Sequence, residues 1–452
     1  MKIVESEQPM WRLFFMFLVP LMLSNILQSA SQTFSSIYLG RLIGTNALAA
    51  ASAVFPVVFL LVSFLIGIAS GSTVLIGQAY GAKDEHRVKK VAGTVLGATL
   101  LLGCIVAAVG FFGSPYVLHA LGTPANILAD SDRYARVTFL TMPVLFPYLV
   151  YTTCLRGTGD STTPFYFLIV STALSMAITP AFIEGWLGLP KLGVVSAAVG
   201  VAIAQSAAFT AMLVTLRVQN HPLKFDREMA RDMAFDMRIL LAVMRIGVPT
   251  GVQVIMVSLA EIAVISFVNR FGSSATAAYG AVNQVVGYVQ FPAISMGITA
   301  SIFGAQFIGA KREDRLTAVV RTAVTLNYII TGVAIAICYA SAWFILGWFI
   351  TDAGTLHIAH SLLMITLWSY AVFGNSSVLS GLMRSSGTVL WPTIIGVFSI
   401  WGIEVPAAYI LMQRFGLDGV WMGYPIAFCC GLFLQFCYYE FVWKKKTHER
   451  LV

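Results

Sequence analysis

The chain has 452 residues, of which 58% are hydrophobic and only 11% are charged, and its mean hydropathy is +0.83. This composition lies far outside the range of soluble globular domains and indicates that membrane lipid surrounds the protein. The formal net charge of +8 does not point to nucleic acid, because the basic residues lie in short segments between apolar runs. Positive-inside membrane topology explains them better.

Apolar runs separated by charged or turn-forming residues follow one another along the chain. The first, uncharged between Arg12 and Arg41, is too long for a signal-peptide core and can cross a bilayer, which needs about 20 residues. Backbone groups in hydrocarbon must bond internally, so these runs predict helices. We predict an all-α integral membrane protein with about twelve transmembrane helices. They lie at 13–39, 48–77, 91–112, 134–155, 165–187, 192–216, 246–268, 277–307, 317–346, 360–383, 389–411 and 419–442.

Lys and Arg residues are distributed unevenly over the predicted loops. With both termini in the cytoplasm, only six of the 28 basic residues fall outside: Arg41, Arg133, Arg136, Lys191, Arg270 and Arg414. Lys and Arg in short loops favour the cytoplasmic side. We therefore predict a multi-pass protein of the cytoplasmic (inner) membrane with both termini in the cytoplasm.

The longest polar stretch, 217–245, carries charges of both signs and divides the predicted spans six and six. It predicts a solvated cytoplasmic linker between an N-lobe at 1–216 and a C-lobe at 246–443. Residues 444–452 form a basic cytoplasmic tail. Binding of lipid head groups by the polar stretch is the alternative interpretation.

The two halves repeat one another in sequence. The segment from Gln78 to Arg87 recurs from Gln306 to Arg315, and Gln, Gly, Ala, Lys, Glu and Arg match at an offset of 228. Six spans per repeat give both copies the same orientation. We predict two parallel, pseudo-symmetric six-helix bundles, an arrangement typical of secondary transporters that rock around a site near the midplane.

Two acidic residues, Glu261 and Glu404, fall well inside predicted spans. A charge at mid-bilayer costs about 2.5–3.5 kcal/mol on insertion scales, so it usually marks a functional site. Glu261 precedes Arg270 by nine residues and Glu404 precedes Arg414 by ten, which places both at similar depth at ~1.5 Å per residue. We predict that they share one cavity and bind the coupling ion, H+ or Na+. The alternative is two acids satisfied by neighbouring helices.

Uncharged polar residues accompany the acids. The repeat places Gln32 opposite Glu261 and Ile178 opposite Glu404, so the first half keeps these positions without the charge. The candidate substrate-lining residues are Gln28, Gln32, Ser36, Gln253, Asn283, Gln284, Tyr288, Asn375 and Trp401. Either they line a substrate path or they form hydrogen bonds and packing contacts between helices.

No pattern indicates a metal or cofactor. The six cysteines lie in hydrophobic stretches without ligand or disulfide spacing, and we interpret them as packing residues. His357 and His360 share a helical face, but their position favours a solvated entry into a helix over a pair of ligands. Without a nucleophile–base pair, the sequence predicts no enzymatic activity and no cofactor besides a coupling ion.

Short motifs occur in a characteristic order. They are Gly77 to Lys83 and its repeat Gly304 to Lys311, Leu155 to Pro164, Gly247-Val-Pro249, Ala277 to Gln284, and Gly419 to Gly423. In this order they resemble the multidrug and toxic compound extrusion (MATE) family over essentially the whole chain. The resemblance implies an antiporter that exports organic, often cationic and amphiphilic compounds in exchange for H+ or Na+ through a V-shaped cleft between two lobes. We expect a monomer that acts on a small organic substrate.

The first half departs from the pattern that the resemblance implies. Where the family often has an acid near the end of span one, this chain has Ser36. The Asn and Asp positions of span five correspond to Ser175 and Thr179. The chain therefore departs from the first-lobe ion site that the resemblance implies.

In the second half, the family's span-ten Asp corresponds to Phe373, and its span-seven Glu aligns nearer Val257. Glu261 lies about one turn further along on the same helical face. We therefore expect ion coupling in the second lobe, on Glu261 with Glu404 assisting.

A flippase and a channel are the two other kinds of transport protein that the composition allows. A flippase for a lipid-linked precursor would present several cationic residues to a pyrophosphate, whereas nearly every Lys or Arg lies outside the apolar spans. A channel would show flux that does not saturate. The sequence favours a secondary active antiporter that works by alternating access.

Overall fold

The computed structural model describes residues 3–234 and 236–451, and most of these residues are helical. The helices are α1 (Met10–Tyr38), α2 (Thr45–Gly81), α3 (Glu85–Ala120), α4 (Ala125–Gly157), α5 (Thr162–Glu184), α6 (Ser196–Val218), α7 (Arg227–Asp232), α8 (Met237–Val268), α9 (Ser273–Gly309), α10 (Leu316–Ala340), α11 (Ala342–Gly347), α12 (Ala353–Thr366), α13 (Ser369–Ser385), α14 (Leu390–Phe398), α15 (Val405–Phe415) and α16 (Leu417–Tyr438). Turns of π-helix at Leu39–Ile43, Ser399–Glu404 and Tyr439–Trp443 continue α1, α14 and α16. These residues include no β-strand.

Most helices are long enough to cross a membrane. Within the described residues, 11 are sufficiently long and apolar, and the bent pair α12–α13 makes the number 12 if it forms one span. A helix satisfies its own backbone hydrogen bonds, which is the condition for crossing hydrocarbon. The prediction of an all-α membrane protein with about twelve spans is confirmed.

The bent pair contains a break that the sequence did not indicate. Between Thr366 and Ser369 the axis turns by 42°. The Tyr339 hydroxyl donates to the Met364 carbonyl at 3.2 Å and accepts the Trp368 N–H at 3.1 Å. Backbone groups freed by a break need partners inside a membrane, and Tyr339 of α10 supplies them.

The described chain divides into two compact units. The first contains Leu23–Gly247, and the second contains Val248–Leu451 together with the N-terminal residues up to Met22. These divisions differ at several ends from the predicted boundaries, 1–216 for one lobe and 246–443 for the other, which stay a prediction. The linker groups with the first unit, and the tail groups with the second.

Packing explains why the first turns of α1 group with the second unit and the first turns of α8 group with the first unit. Phe14 of α1 is fully buried in the second unit, where its ring centroid lies 5.0 Å from that of Phe303. In the first unit, the backbone of Val243 on α8 lies directly against Gly71 of α2, where no side chain fits. Each unit is thus completed by the first turns of a helix whose remaining turns belong to the other unit.

The polar stretch 217–245 is not the solvated linker that was predicted. Its last residues are the first turns of α8, which begins at Met237. Its middle part is docked on α3: Lys89 Nζ lies 2.7 Å from Asp226 Oδ2 and 2.8 Å from Glu228 Oε2, and Met229 is fully buried. Acidic residues of this stretch therefore form ion pairs within the first unit.

The internal repeat extends to rare backbone conformations. Eight of the twelve described residues with a positive φ form pairs that lie 228 positions apart: Gly44 and Gly272, Lys83 and Lys311, Gly159 and Gly387, and Gly188 and Gly416. Left-handed backbone is uncommon for residues other than glycine, so its recurrence at both lysines shows a repeated turn. The two units therefore share one chain path, as the pseudo-symmetry predicted.

The linker and the tail are anchored at equivalent places. Leu223 is fully buried, and its carbonyl accepts the Tyr151 hydroxyl. Leu451, which lies 228 positions later, packs against Gly387 in the second unit. Trp443 stacks on His448 at a centroid distance of 4.1 Å. The tail predicted at 444–452 thus includes a docked segment.

Candidate functional site

Glu404 lies at the end of a local change in helix geometry. The π-helical turn Ser399–Glu404 separates α14 from α15, and Pro406 follows in the first turn of α15. Proline has no N–H to donate, so it loosens the helical hydrogen bonds at this point. Such turns are frequent at functional sites. The Glu404 side chain is 4% exposed.

Two glycines bring α16 close to this turn. A Cβ atom on Gly423 would lie 3.0 Å from the Glu404 carbonyl oxygen, and one on Gly419 would collide with the backbone of Leu411. Small residues four positions apart allow membrane helices to approach closely. The approach places Tyr424, the residue after Gly423, on the helix that packs against this turn.

Glu261 lies on α8 beside the same turn. The Trp401 indole Nε1 donates to the Met256 carbonyl at 3.0 Å and ties the π-helical turn to α8. Glu261 itself is exposed at the protein surface, although the preceding Ala260 is buried. Both acids that the sequence selected thus lie in adjoining elements of the second unit. That they bind the coupling ion stays a prediction.

The other polar candidates of α8 and α9 lie in the second unit. Gln253 is half-buried, and its amide nitrogen lies against Gly396 of α14. Asn283 is exposed and interacts with the hydroxyl of Tyr279. Gln284 and Tyr288 are exposed on the surface of α9. That these residues line a substrate path stays a prediction.

Asn375 belongs to a buried hydrogen-bond network. Its side-chain oxygen accepts from Asn327 Nδ2 at 2.9 Å, and the same nitrogen donates to the Ala371 carbonyl at 2.9 Å. Thr331 donates to the Asn327 side chain at 3.1 Å. For Asn375 the structure favours the alternative interpretation, a hydrogen bond between helices.

Gln28, Gln32 and Ser36 lie in the first unit, on α1. All three are exposed, and the Ser36 hydroxyl donates to the carbonyl of Gln32 at 3.1 Å. Ser175 and Thr179 of α5 are buried. Neutral hydroxyl groups thus occupy the positions where the resemblance implied an ion site.

The remaining candidates for metal binding have other partners. His360 stacks on Trp343 at a centroid distance of 4.2 Å, and His357 meets the same ring edge-on at 5.0 Å. Within residues 3–234 and 236–451, no group of three or more His, Cys, Asp or Glu residues has an arrangement that holds a metal ion. The six cysteines are unpaired.

Sequence reasoning missed three tyrosines of the site. The Tyr279 and Tyr424 oxygens lie 2.9 Å apart, and the Tyr370 and Tyr424 rings both pack against Phe428. A neutral phenol carries no insertion penalty comparable to that of a charge, so it does not stand out in an apolar run. The only signal was indirect, because Tyr279 lies within one of the family-like motifs and Tyr424 directly follows another.

The fold and the site define a multi-pass helical membrane protein with two repeated units and paired acids in the second. The MatE family model matches the chain twice, at residues 20–181 and 249–410. The probable multidrug resistance protein YoeA of Bacillus subtilis is 52% identical over 99% of this chain and 97% of its own length. The chain belongs to the MATE family of membrane transporters.

More distant relatives agree. The multidrug export protein MepA of Staphylococcus aureus is 24% identical over 92% of this chain and 90% of its own length. The fold is similar to a mutant of the Vibrio cholerae MATE transporter VcmN, with a TM-score of 0.89 over 97% of this chain and 98% of that chain at 17% identity. A Pyrococcus furiosus transporter of the MOP superfamily gives 0.88 over 99% and 98% at 19% identity. These likenesses confirm the fold.

Proposed function

We propose that this protein is a secondary active antiporter that exports organic, cationic or amphiphilic compounds in exchange for H+ or Na+ by alternating access. The observation that carries the proposal is that Glu261 and Glu404 lie in adjoining elements of the second unit, which the Trp401–Met256 hydrogen bond joins. Neither carboxylate forms an ion pair with a basic side chain in the described part of the chain. A carboxylate inside an apolar span without a positive partner is costly to ionise, so a bound cation stabilises it.

The multidrug character of the substrate is supported by the relatives. YoeA and MepA bear the names of multidrug resistance and export proteins, and the former is 52% identical along nearly the whole chain. A small organic substrate is the corresponding expectation here. The flippase alternative receives no support from these relatives, and we do not retain it.

The cellular setting follows from the charge distribution. The excess of Lys and Arg in the predicted cytoplasmic loops supports the inner membrane, with both termini in the cytoplasm. In that orientation, an inward H+ or Na+ gradient drives the export of substrate. A reporter fused after Leu451 should be active only on the cytoplasmic side.

The coupling ion is tested in proteoliposomes that contain the purified protein and a fluorescent cationic drug. We expect an imposed H+ or Na+ gradient, each applied alone, to drive saturable drug movement through the wild type. Glu261→Gln and Glu404→Gln should each abolish the response to the gradient. Glu184→Gln is the matched control, because Glu184 is an exposed acid at the end of α5. Coupling as strong as wild type in both site variants would refute the proposal.

A further inference from the structure

The end of the chain is folded back onto the second unit. Trp443, which ends the π-helical turn after α16, is 2% exposed, and its indole nitrogen donates to the Ser386 hydroxyl at 2.8 Å. The Trp443 ring stacks on His448 at a centroid distance of 4.1 Å. Further along, Leu451 packs against Gly387, the residue after Ser386. The tail is therefore held at both ends by the turn between α13 and α14.

This anchoring positions three consecutive lysines, Lys444, Lys445 and Lys446. The Lys444 N–H donates to the Tyr439 carbonyl at 2.9 Å, and the Lys446 N–H donates to the Trp443 carbonyl at 3.1 Å. These bonds form a turn, and all three lysine side chains are exposed on it. Because the chain is held before and after the turn, binding of a partner costs little additional backbone entropy.

Most of the positive charge at this turn is not neutralised within the protein. Lys444 Nζ lies 2.7 Å from Glu440 Oε1. Lys445 Nζ lies 5.9 Å from the centroid of the Phe441 ring. Within residues 3–234 and 236–451, neither Lys445 nor Lys446 forms an ion pair with an acidic side chain. The turn therefore presents ammonium groups that can bind an anion.

Exposed aromatic rings adjoin the lysines. Phe441 is 64% exposed and Trp391 is 55% exposed. Trp391 packs on Tyr438, the last residue of α16, at a centroid distance of 6.1 Å, so the beginning of α14 lies beside the end of α16. Trp and Tyr prefer the level of the lipid headgroups in a bilayer. The rings thus indicate that the lysines lie at the headgroups of the leaflet in which α16 ends.

We propose that residues 441–446, which we call the lysine turn, bind the phosphate headgroups of anionic phospholipids. The ammonium groups donate to the phosphate oxygens, and the neighbouring aromatic rings contact the beginning of the acyl chains. Each lysine near an anionic membrane surface strengthens binding by about fivefold. Binding at this surface depends on neither the exported compound nor the coupling ion.

A free phosphate ion is a poorer partner for the lysine turn. It offers the same oxygen acceptors, but it has no acyl chain to contact Phe441 and Trp391. A phospholipid presents its phosphate at the level of these rings, and an anionic leaflet holds many such phosphates within reach of the lysines. The combination of exposed rings with ammonium groups therefore favours a lipid.

The test titrates the full-length protein in uncharged detergent micelles with short-chain phosphatidylglycerol. A fluorophore attached through Thr447→Cys, in a background without the native cysteines, reports binding, because residue 447 is exposed directly after the lysines. We expect saturable binding that weakens as the salt concentration rises. Phosphatidylcholine with the same chains carries no net charge and should bind at least about tenfold more weakly, since each unpaired lysine contributes about fivefold.

The double variant Lys445→Gln/Lys446→Gln should weaken phosphatidylglycerol binding by about 25-fold, which is about fivefold for each lysine. The matched control is Arg227→Gln/Arg231→Gln, which removes the same charge from exposed side chains of α7. These arginines are one helical turn apart with the acid Glu228 between them, so they do not form a comparable surface. The control should bind phosphatidylglycerol as wild type does.

Leu451→Ala tests whether docking of the tail contributes. The change leaves every charge of the lysine turn in place and removes the side chain that contacts Gly387. A turn that is no longer held must be ordered when it binds, so phosphatidylglycerol binding should be weaker than in wild type. Leu140→Ala, which shortens an exposed leucine of α4, should leave binding unchanged.

The outcomes separate a lipid surface from a general effect of charge. Equal weakening by the lysine and arginine variants would overturn the proposal, because net charge alone would then explain the binding. Equal affinity for phosphatidylglycerol and phosphatidylcholine would also overturn it, and so would inorganic phosphate that competes at the same concentration as the lipid. Selective loss in the lysine variant, with an unchanged melting temperature, supports the lysine turn as a binding surface for anionic phospholipid.

Discussion

Lys89 on α3 binds Asp226 in the linker, with Nζ 2.7 Å from Oδ2. Partial burial opposes ionisation of Asp226, but the hydrogen bonds from Lys89 and from the Met229 N–H hold its pKa below the ordinary value. A carboxylate with a depressed pKa stabilises the folded state above the unfolded pKa of about 3.9 and loses this effect as the pH falls through the depressed value. Docking of the linker should therefore persist from pH 7 to pH 5 and weaken only in strong acid.

Lys89→Met should loosen this docked segment. Both charged groups are partly exposed, so we expect a loss of only about 1 kcal/mol, close to the value for a screened pair. Hydrogen–deuterium exchange of residues 226–233 should then be faster at pH 7. Arg227→Met removes the same charge from an exposed side chain without an ion pair in the described structure. Equal exchange in the two variants would contradict the role of Lys89.

Tyr339→Phe should destabilise the break between α12 and α13. The change removes the only side-chain partner that the structure gives to the Met364 carbonyl and the Trp368 N–H among described residues. Hydrogen bonds within membranes contribute about 0.6–2 kcal/mol. We expect a lower melting temperature in detergent and faster exchange at residues 364–369. Tyr328→Phe, on the exposed face of the same helix α10, should leave both unchanged.

Gly419→Ala should separate α16 from α15. A Cβ atom at this position collides with the backbone of Leu411, which cannot rotate away as a side chain would. Overpacking of this kind costs about 1–3 kcal/mol, and the thermal stability in detergent should fall accordingly. Gly332→Ala is the control, because no atom lies within 4 Å of a Cβ atom built there. A control as unstable as Gly419→Ala would exclude the packing explanation.

Glu261→Cys and Glu404→Cys should differ in their reaction with a water-soluble maleimide. Glu261 is exposed, whereas Glu404 is 4% exposed. In a background without the native cysteines, the thiol at 261 should be labelled much faster than the thiol at 404. Denaturation in dodecyl sulfate should remove the difference. Equal labelling in the folded protein would show that the buried position of Glu404 is wrong.

The sequence indicated the acids because a charge inside an apolar run is costly and therefore conspicuous. It did not indicate the hydrogen-bonded pair Tyr279 and Tyr424, because a phenol fits both lipid and protein. The break near Trp368 could not be predicted from the sequence, because no proline or glycine lies at the break. The docking of Asp226 was missed for a different reason: its partner Lys89 lies far away in the sequence, and a mixed-charge segment without its partner is indistinguishable from a solvated loop.

Hydropathy predicted where the spans lie but not the unit in which each packs. The first half of α1 has an apolar surface that could pack in either unit. The contact of Phe14 with Phe303 shows that it packs in the second unit. The repeat itself was visible in the sequence, since Lys83 and Lys311 share both their motif and their left-handed backbone.

The segments that cross between the units are equivalent parts of the repeat. The residues of α1 up to Met22 complete the second unit, and the residues of α8 up to Gly247 complete the first. Two separate copies of one repeat would reproduce this arrangement by exchanging the beginnings of their first helices. Within the present polypeptide the exchange is reciprocal. Neither half should fold when expressed alone, whereas the two fragments produced together should assemble.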